Sequence, residues 1–218
     1  MERLEDSQKF ITWKANLLRN GCSLKGWKEL HIVRKKNGKV LFALIWIDGF
    51  SAEGVPLLPV VLLRGPFAAI VTGLINSETG NRSLLLVKQR RVANGEIFYE
   101  HPAGMMDSSA DPYETALAEM HEETGLELKR EDLVLMDEKQ YYSSPGLDDE
   151  GGYYFYCELV LSSAEIQDLH ERKTGDGNES EFIQTVVCSF PEAKSLMRNA
   201  NSLLHLLLYE ALKRGGGA

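Results

Sequence analysis

Three glutamates between residues 119 and 123 are the side chains best suited to chemistry in this sequence. Glu119, Glu122 and Glu123 have the spacing i, i+3 and i+4, which places side chains on one face of an α-helix. Carboxylate oxygens on a rigid element are donors that Mg²⁺ or Mn²⁺ prefers, with water and substrate phosphate completing the coordination. A solvated acidic helix face has the same spacing, so the glutamates alone leave both interpretations open.

The residues around the glutamates predict a helix that carries them. Asp111 is a favourable N-cap, Pro112 suits the first helical position, and Glu114 has the spacing of a capping box. Gly125 suits the left-handed conformation that follows many helix C-termini. The sequence therefore predicts a helix over 112–124 with the three carboxylates on one face.

The flanking residues extend this pattern from Gly104 to Leu126. Pro102-Ala103-Gly104 precedes the helix, and Glu119-Met120-His121-Glu122-Glu123-Thr124-Gly125-Leu126 ends it. The stretch resembles the Nudix box, in which a glycine begins a loop, a helix carries an acidic cluster and a second glycine ends it. Two positions depart from the box, because Ala110 stands where the family has a loop glutamate and Ala118 where it has an arginine.

Further blocks resemble one branch of the Nudix hydrolase superfamily, the ADP-sugar pyrophosphatases (ADP-ribose or ADP-glucose diphosphatases), in particular those of plants. The blocks are Phe10-Ile11-Thr12-Trp13 with Leu17, Lys88-Gln89-Arg90-Arg91, Ser144-Pro145-Gly146 with Asp148-Asp149-Glu150, and Lys173-Thr174-Gly175 with Glu181-Phe182-Ile183. The resemblance covers nearly the full chain and is weak from Trp27 to Leu62. It implies hydrolysis of a nucleotide sugar to a nucleoside monophosphate and a sugar phosphate.

The resemblance also implies roles for individual residues. Divalent metal, Mg²⁺ or Mn²⁺, would be held by Glu119, Glu122 and Glu123, with a backbone contribution near Ala103. Catalysis would involve Glu122 among the metal ligands and Glu181, or Glu179, as the base that activates water. Substrate would be contacted by Arg90, Arg91, Ser144, Gly146 and Trp27.

Simpler structural roles compete with several of these assignments. Glu179 and Glu181 are equally well explained as surface charge. A solvated pair of charges at a strand end is the less favoured explanation of the two arginines. The Ser144-Pro145-Gly146 sequence is also typical of an ordinary turn. Trp27, Phe50 or Tyr142 would be the aromatic residue that stacks on the base, although an aromatic residue is more often part of a core than of a binding site.

The rest of the sequence predicts an α/β (α+β) fold that positions the loop and helix. Strands are predicted at 27–33, 39–48, 59–63, 67–74, 83–89, 97–100, 133–136, 152–160 and 182–187. Further helices are predicted at 7–18, 163–168, 191–197 and 202–213. The turn Lys36-Asn37-Gly38 predicts a hairpin, and 173–180 is expected to be a polar loop.

The resemblance implies how these elements are organised. Residues 63–214 would form an α/β/α sandwich with a mixed β-sheet. Residues 1–62 would form an N-terminal helix and antiparallel β region, which in a homodimer contributes to the subunit interface and to the substrate site. Residues 215–218 are expected to be a flexible tail.

Composition and charge argue against several classes of protein. The net charge of −8 makes the chain a poor match for long nucleic acid. The apolar run over 55–75 is interrupted by prolines, glycines and Arg64, so no membrane helix is expected. Cys22, Cys157 and Cys188 fit no zinc or disulfide pattern. Reduced thiols indicate a cytoplasmic protein, or an organellar one if a transit peptide has been trimmed.

Two alternatives stand beside the enzyme. Ala110 and Ala118 motivate a weakened or inactive Nudix domain that acts as a nucleotide-sensing or interaction module. Hydrolysis of capped RNA ends is disfavoured by the acidic charge and by the lack of a basic stripe.

Overall fold

A computed structural model describes residues 1–107, 109–174 and 182–215. The chain divides into two compact units. The first contains Met1–Phe67, Met105–Ser108 and Tyr141–Gly151, and the second contains Ala68–Gly104, Ser109–Gln140 and Gly152–Ala218. The first unit contains residues 1–62 together with 63–67 and two later segments of the chain.

The strands and helices follow the chain in this order. The strands are β1 (Ser23–Arg34), β2 (Val40–Phe50), β3 (Val60–Leu63), β4 (Phe67–Asn76), β5 (Arg82–Arg90), β6 (Ile97–Glu100), β7 (Ala103–Met105), β8 (Val134–Leu135), β9 (Tyr141–Tyr142), β10 (Gly151–Leu161), β11 (Lys173–Thr174) and β12 (Ile183–Cys188). The helices are α1 (Gln8–Arg19), α2 (Pro112–Thr124), α3 (Ser163–Leu169), α4 (Phe190–Leu196) and α5 (Ala200–Gly215).

In the first unit, α1 packs on a three-stranded antiparallel sheet with the order β1-β2-β3. Helix α1 begins after Ser7, whose side chain accepts the N–H of Phe10, as expected for an N-cap. Phe10 and Trp13 are buried in one apolar cluster with alternate residues of β2, among them Ile45 and Ile47. The predicted hairpin is present, and Gly38 takes the positive φ that its turn requires.

In the second unit, helices cover both faces of one sheet, whose main strand order is β11-β12-β5-β4-β10-β8. Ala68 and Ile70 of β4 belong to the apolar cluster that includes Met120 of α2. Val71 belongs to the cluster that includes Leu206 of α5. Because successive strand residues point to opposite faces, α2 and α5 lie on opposite sides of the sheet. This confirms the predicted α/β class and its helix–sheet–helix layering.

Helix α2 has the predicted bounds. The side chain of Asp111 accepts the N–H of Tyr113 at 3.0 Å, Pro112 is the first helical residue, and Gly125 has φ +73°. The predicted capping-box role of Glu114 is wrong, because its carboxylate accepts the hydroxyl of Ser109 at 2.6 Å. In a capping box Glu114 would accept the N–H of Asp111, but that N–H donates to the Ser109 hydroxyl instead.

The sequence patterns miss three short strands, β7, β9 and β11. The expectation of a polar loop from residue 173 is wrong for Lys173 and Thr174, which pair with Gln184 and Ile183 of β12. Two or three residues are too few to show a period of alternation. The expected tail at 215–218 lies outside the described residues except for Gly215, which ends α5. In the described part of the chain, no helix has the length and apolar character needed to cross a membrane.

Candidate active site

Two carboxylates of α2 lie against the backbone of β7. The Oε2 atom of Glu123 accepts the N–H of Ala103 at 2.9 Å. The carboxylate of Glu119 lies beside the Cα of Gly104, in the space that a Cβ at this position would occupy. A glycine is therefore required here by close approach, since any side chain would displace the Glu119 carboxylate.

The three glutamates differ in their surroundings more than their spacing implies. Glu123 is only 4% exposed, Glu119 is half-buried and Glu122 is exposed. Their side chains do not meet at one point, and among the described residues no three His, Cys, Asp or Glu side chains are grouped closely enough to hold a metal ion. Glu123 lies against Ala103 while Glu122 remains in solvent, so the three glutamates share one helix but differ in their surroundings.

These residues nevertheless fit a divalent cation in the chemistry of their donors. Carboxylate oxygens on one rigid helix are hard ligands of the kind that Mg²⁺ and Mn²⁺ select. The absence of a side chain at Gly104 lets the Glu119 carboxylate lie against the backbone of β7. Glu119, Glu122 and Glu123 are the residues that would hold the ion, and their carboxylates would have to move closer together to do so. Glu122 is exposed, so packing does not restrict its side chain.

The two positions that depart from the Nudix box, Ala110 and Ala118, are both exposed. Other contacts fix the start of α2 in their place. Asp111 accepts a hydrogen bond from the Nη1 atom of Arg130 at 2.5 Å, and the Arg130 guanidinium lies 3.9 Å from the ring centroid of Tyr113. The two alanines therefore leave no unpaired charge, and the helix is anchored from another part of the second unit.

A buried carboxylate holds one of the candidate substrate residues, Arg91. Its Nε and Nη2 atoms donate to Oε2 of Glu100 at 2.8 and 2.7 Å. The Nδ2 atom of Asn199 donates to the other oxygen at 2.5 Å. Since the Glu100 side chain is 4% exposed and that of Arg91 is 42% exposed, the guanidinium has a fixed orientation with part of its surface in solvent. Arg90 donates instead to the backbone carbonyl of Gly95.

Sequence reasoning missed Glu100 and Asn199. The only signal was a charged residue at the end of the apolar run Ile97-Phe98-Tyr99, which does not by itself reveal burial. Asn199 is distant in sequence and reaches Glu100 from the segment before α5. Neither residue has a spacing that links it to Arg91.

A pair of buried histidines lies beside this cluster. The rings of His101 and His205 meet edge to face with centroids 5.0 Å apart, and both residues are almost inaccessible to solvent. Burial lowers the pKa of His101 to about 3 and lowers the pKa of His205 well below its ordinary value. Both rings are therefore neutral at physiological pH.

The remaining described candidates belong to the first unit. The carbonyl of Ser144 accepts the N–H groups of Leu147 and Asp148 at 2.9 and 3.1 Å, which closes the expected turn. Gly146 has open space around the position of a Cβ and does not have a positive φ. Trp27 packs on Phe10 with ring centroids 4.6 Å apart, an arrangement that serves the core of the unit.

The two candidate bases, Glu179 and Glu181, lie outside the described residues, as does Gly175. Their assigned role therefore stays a prediction. The same holds for the substrate roles of Arg90, Arg91, Ser144, Gly146 and Trp27, whose positions are known while their ligand contacts are not.

Sequence comparison relates most of the chain to known proteins. Residues 66–207 match the family model of the NUDIX domain. The chain is 31% identical to Nudix hydrolase 14, chloroplastic, from Arabidopsis thaliana over 97% of this chain and 72% of that protein. It is 30% identical to the ADP-ribose pyrophosphatase of Bacillus subtilis (strain 168) over 62% of this chain and 71% of that protein.

One solved structure shows the same fold. A protein described as an ADP compounds hydrolase superposes with a TM-score of 0.59 over 90% of this chain and 96% of its own. The two sequences are 15% identical, so this likeness concerns the fold alone.

Proposed function

Because this chain belongs to the NUDIX domain family, we propose that it hydrolyses the diphosphate linkage of a nucleoside diphosphate sugar such as ADP-ribose or ADP-glucose. The products would be a nucleoside monophosphate and a sugar phosphate. The activity named for the Bacillus subtilis relative supports this class of substrate.

One observation carries the proposal, the approach of two α2 carboxylates to β7. Glu123 is fixed by the Ala103 N–H, and Glu119 lies in the space that Gly104 leaves open. A general acidic surface helix has no need of a buried glutamate or of a glycine that makes room for a carboxylate. Both contacts hold carboxylates of α2 beside β7, which supports a role for this helix in holding the divalent ion that hydrolysis of a diphosphate would use.

The chain's own residues position and neutralise the substrate. A bound Mg²⁺ or Mn²⁺ ion would supply charge neutralisation of the diphosphate and activation of water. Glu119, Glu122 and Glu123 would hold the ion, while the fixed guanidinium of Arg91 would meet a phosphate oxygen with donors in a planar fork. Glu181 or Glu179 accepts the proton of the attacking water. In-line attack on one phosphorus then needs no covalent intermediate.

The proposed partner of the chain is a second copy of itself. Phe42, Leu44 and Trp46 alternate with the buried residues of β2 and are partly exposed, and the amino group of Lys28 lies over the Trp46 ring. This mixed apolar and basic face is the surface of the first unit that we propose for association. Light scattering is expected to give the mass of a homodimer, and Trp46→Glu should shift the mass towards that of the monomer. A monomeric wild-type protein would contradict this part of the proposal.

Reduced thiols support a cytoplasmic location. All three cysteines are free, and Cys157 and Cys188 are buried. Burial raises the pKa of the Cys157 thiol to about 12, which keeps it unreactive. The chloroplastic label of the Arabidopsis thaliana relative makes an organelle the second location to examine, by imaging of the tagged protein.

A substrate panel tests the proposed reaction. The protein is incubated with Mg²⁺ or Mn²⁺ and with ADP-ribose, ADP-glucose, UDP-glucose, GDP-mannose or capped RNA, and monophosphate release is followed. We expect turnover of an ADP-sugar and its loss in Glu122→Gln, while Glu131→Gln, an exposed glutamate beyond α2, serves as the matched control. Absence of turnover on every diphosphate would overturn the proposal.

The alternative function is a nucleotide-sensing or interaction module with weak or no activity. It is favoured by the alanines at positions 110 and 118, which remove two charges of the Nudix box. Both alanines are exposed, so Ala110→Glu and Ala118→Arg fit without repacking the core. Two results together would support the sensing module. The wild-type protein would bind ADP-ribose with almost no turnover, and the double variant would show a large gain of turnover.

A further inference from the structure

The C-terminal end of α2 directly follows the candidate metal ligands and is held by side chains from another part of the second unit. The last carbonyl groups of an α-helix have no partners within the helix. Here the carbonyl of Glu123 accepts the hydroxyl of Thr174 at 2.6 Å. The carbonyl of Thr124 accepts the Nη1 atom of Arg172 at 3.0 Å. Two of the end groups are therefore satisfied from outside the helix.

Arg172 is itself held in place on two sides. Its Nη2 atom pairs with the carboxylate of Asp168 on α3, and its backbone N–H donates to the hydroxyl of the buried Thr185 at 3.0 Å. Its guanidinium also lies over Gly125, where a Cβ would come within 2.9 Å of the Nη1 atom. Gly125 therefore provides both the positive φ of the helix end and room for the guanidinium.

Thr174 is fixed by strand pairing. It lies in β11, opposite Ile183 of the central-sheet strand β12. Since Ile183 is buried, the pairing gives the Thr174 hydroxyl a defined direction. The helix end is thus connected through Thr174 and Arg172 to β12.

We infer that Arg172 and Thr174 are positioning residues that fix the end of α2 so that Glu122 and Glu123 can hold a divalent cation. The inference rests on the proposed function. A cation such as Arg172 at a helix C-terminus is favourable in any helix. Here, however, Thr174 and Arg172 contact the carbonyls of residues 123 and 124, so a small rotation of this last helical turn would displace the metal ligands themselves. Groups that orient metal ligands commonly change metal affinity when they are removed.

The effect should fall on the metal and on turnover, with substrate affinity unchanged. Neither residue is among the candidate substrate contacts, and Arg91 is held by an independent ion pair with Glu100. Loss of the Thr174 hydroxyl would loosen one turn of helix while leaving that ion pair intact. A general loss of stability would instead lower the folded fraction, and the apparent Mn²⁺ binding, turnover and substrate binding would all fall with it.

The test is direct Mn²⁺ binding to the purified protein, measured by electron paramagnetic resonance, together with kcat and KM on ADP-ribose. Thr174→Val removes the hydroxyl and keeps the β-branched shape, and Thr174→Ser restores the hydroxyl. Arg172→Met removes the guanidinium. Arg82→Met is the matched control, because Arg82 is half-exposed and pairs with Glu158 without a contact to α2 among its hydrogen bonds.

We expect Thr174→Val and Arg172→Met to weaken Mn²⁺ binding about 10-fold and to lower kcat at unchanged KM. Thr174→Ser should return Mn²⁺ affinity to within about twofold of wild type, and Arg82→Met should leave it unaltered. Unchanged Mn²⁺ affinity in Thr174→Val, with or without a lower melting temperature, would overturn the inference. So would a wild-type protein that does not bind Mn²⁺.

The two failures are distinguishable by this design. A wild-type protein that binds Mn²⁺ and turns over no nucleotide sugar would remove the proposed function, and the Mn²⁺ affinities of the variants would still decide the role of Thr174. An active enzyme whose Thr174→Val variant keeps its Mn²⁺ affinity would remove the inference alone.

Discussion

The carboxylate of Glu119 occupies the space that any side chain at Gly104 would need. Gly104 lies in β7 and Glu119 lies in the middle of α2, so the contact joins the strand before the loop to the helix after it. The conformation of Gly104 itself is ordinary, since its φ is not positive. Its role is therefore to permit close approach.

Gly104→Ala is expected to lower turnover while the fold survives. The added Cβ would displace only the end of a flexible side chain, so the free energy of unfolding should change by less than about 1 kcal/mol. The displaced carboxylate should lower kcat by about 10- to 100-fold, as loss of ligand orientation does at metal sites. Steady-state kinetics and thermal unfolding measure the two effects. Gly26→Ala is the control, because a Cβ there meets nothing within 4 Å, and equal kcat losses in both variants would contradict this explanation.

Glu122→Ala and Glu123→Ala should both abolish turnover but differ in stability. The Glu123 side chain is buried and accepts the N–H of Ala103, so its removal leaves a donor unsatisfied at a cost of about 1–3 kcal/mol. Glu122 is exposed, and its removal should cost less than about 0.5 kcal/mol. Denaturant unfolding at pH 7 measures the difference. Equal destabilisation would mean that the buried hydrogen bond does not form in solution.

Sequence patterns predict the long elements well and the contacts between distant segments poorly. Helix α2 could be bounded from Asp111, Pro112 and Gly125 because caps are local signals with a fixed spacing. The spacing of the glutamates likewise identified the acidic helix. It could not show that Glu123 is buried and Glu122 exposed, because burial depends on β7, a strand of three residues without a readable period.

Polar contacts between distant parts of the chain are also invisible in the sequence. Glu100 fixes Arg91 with help from Asn199, a residue about a hundred positions away. Arg172 and Thr174 reach α2 across separations of 48 and 51 residues. No local period or motif encodes such partners, since their proximity follows from the sheet order.

Lys9→Met is expected to destabilise the first unit strongly. The Lys9 amino group pairs with the carboxylate of Asp107 and donates to the carbonyl of Arg64 at 2.7 Å. The Lys9 side chain is only 8% exposed. Breaking a buried pair from one side costs about 3–5 kcal/mol, although Lys35, which lies 3.1 Å from the same carboxylate, should reduce the loss towards the lower limit. Denaturant unfolding measures the change.

A second lysine provides the control for Lys9. Lys194 pairs with Glu210 at 2.6 Å, but its side chain is 37% exposed, so Lys194→Met should cost less than about 1 kcal/mol. The double variant Lys9→Met with Asp107→Asn should be less unstable than the sum of its single variants, because it leaves no buried charge without its partner. Additive losses would show that the two groups do not interact.

Acidification is expected to destabilise the protein through His205. Its Nε2 atom lies 2.7 Å from the carbonyl oxygen of Phe155, and burial lowers its pKa well below the ordinary value. Above about pH 6.5 the ring is neutral in both the folded and the unfolded protein. Below that pH His205 is protonated in the unfolded chain but stays neutral in the native protein. The free energy of unfolding therefore falls by up to about 1.4 kcal/mol per pH unit for this group.

Urea unfolding between pH 7.5 and pH 5 measures this slope, with His205→Gln as the comparison because its amide can still donate to the Phe155 carbonyl. The variant should lose stability less steeply as the pH falls. Two other groups contribute to the slope in both proteins. The pKa of His101 is also lowered by burial, which adds to the slope, and the pKa of Asp149 in the first unit is raised by burial, which opposes it. Identical slopes for the two proteins would show that His205 is not kept neutral by the fold.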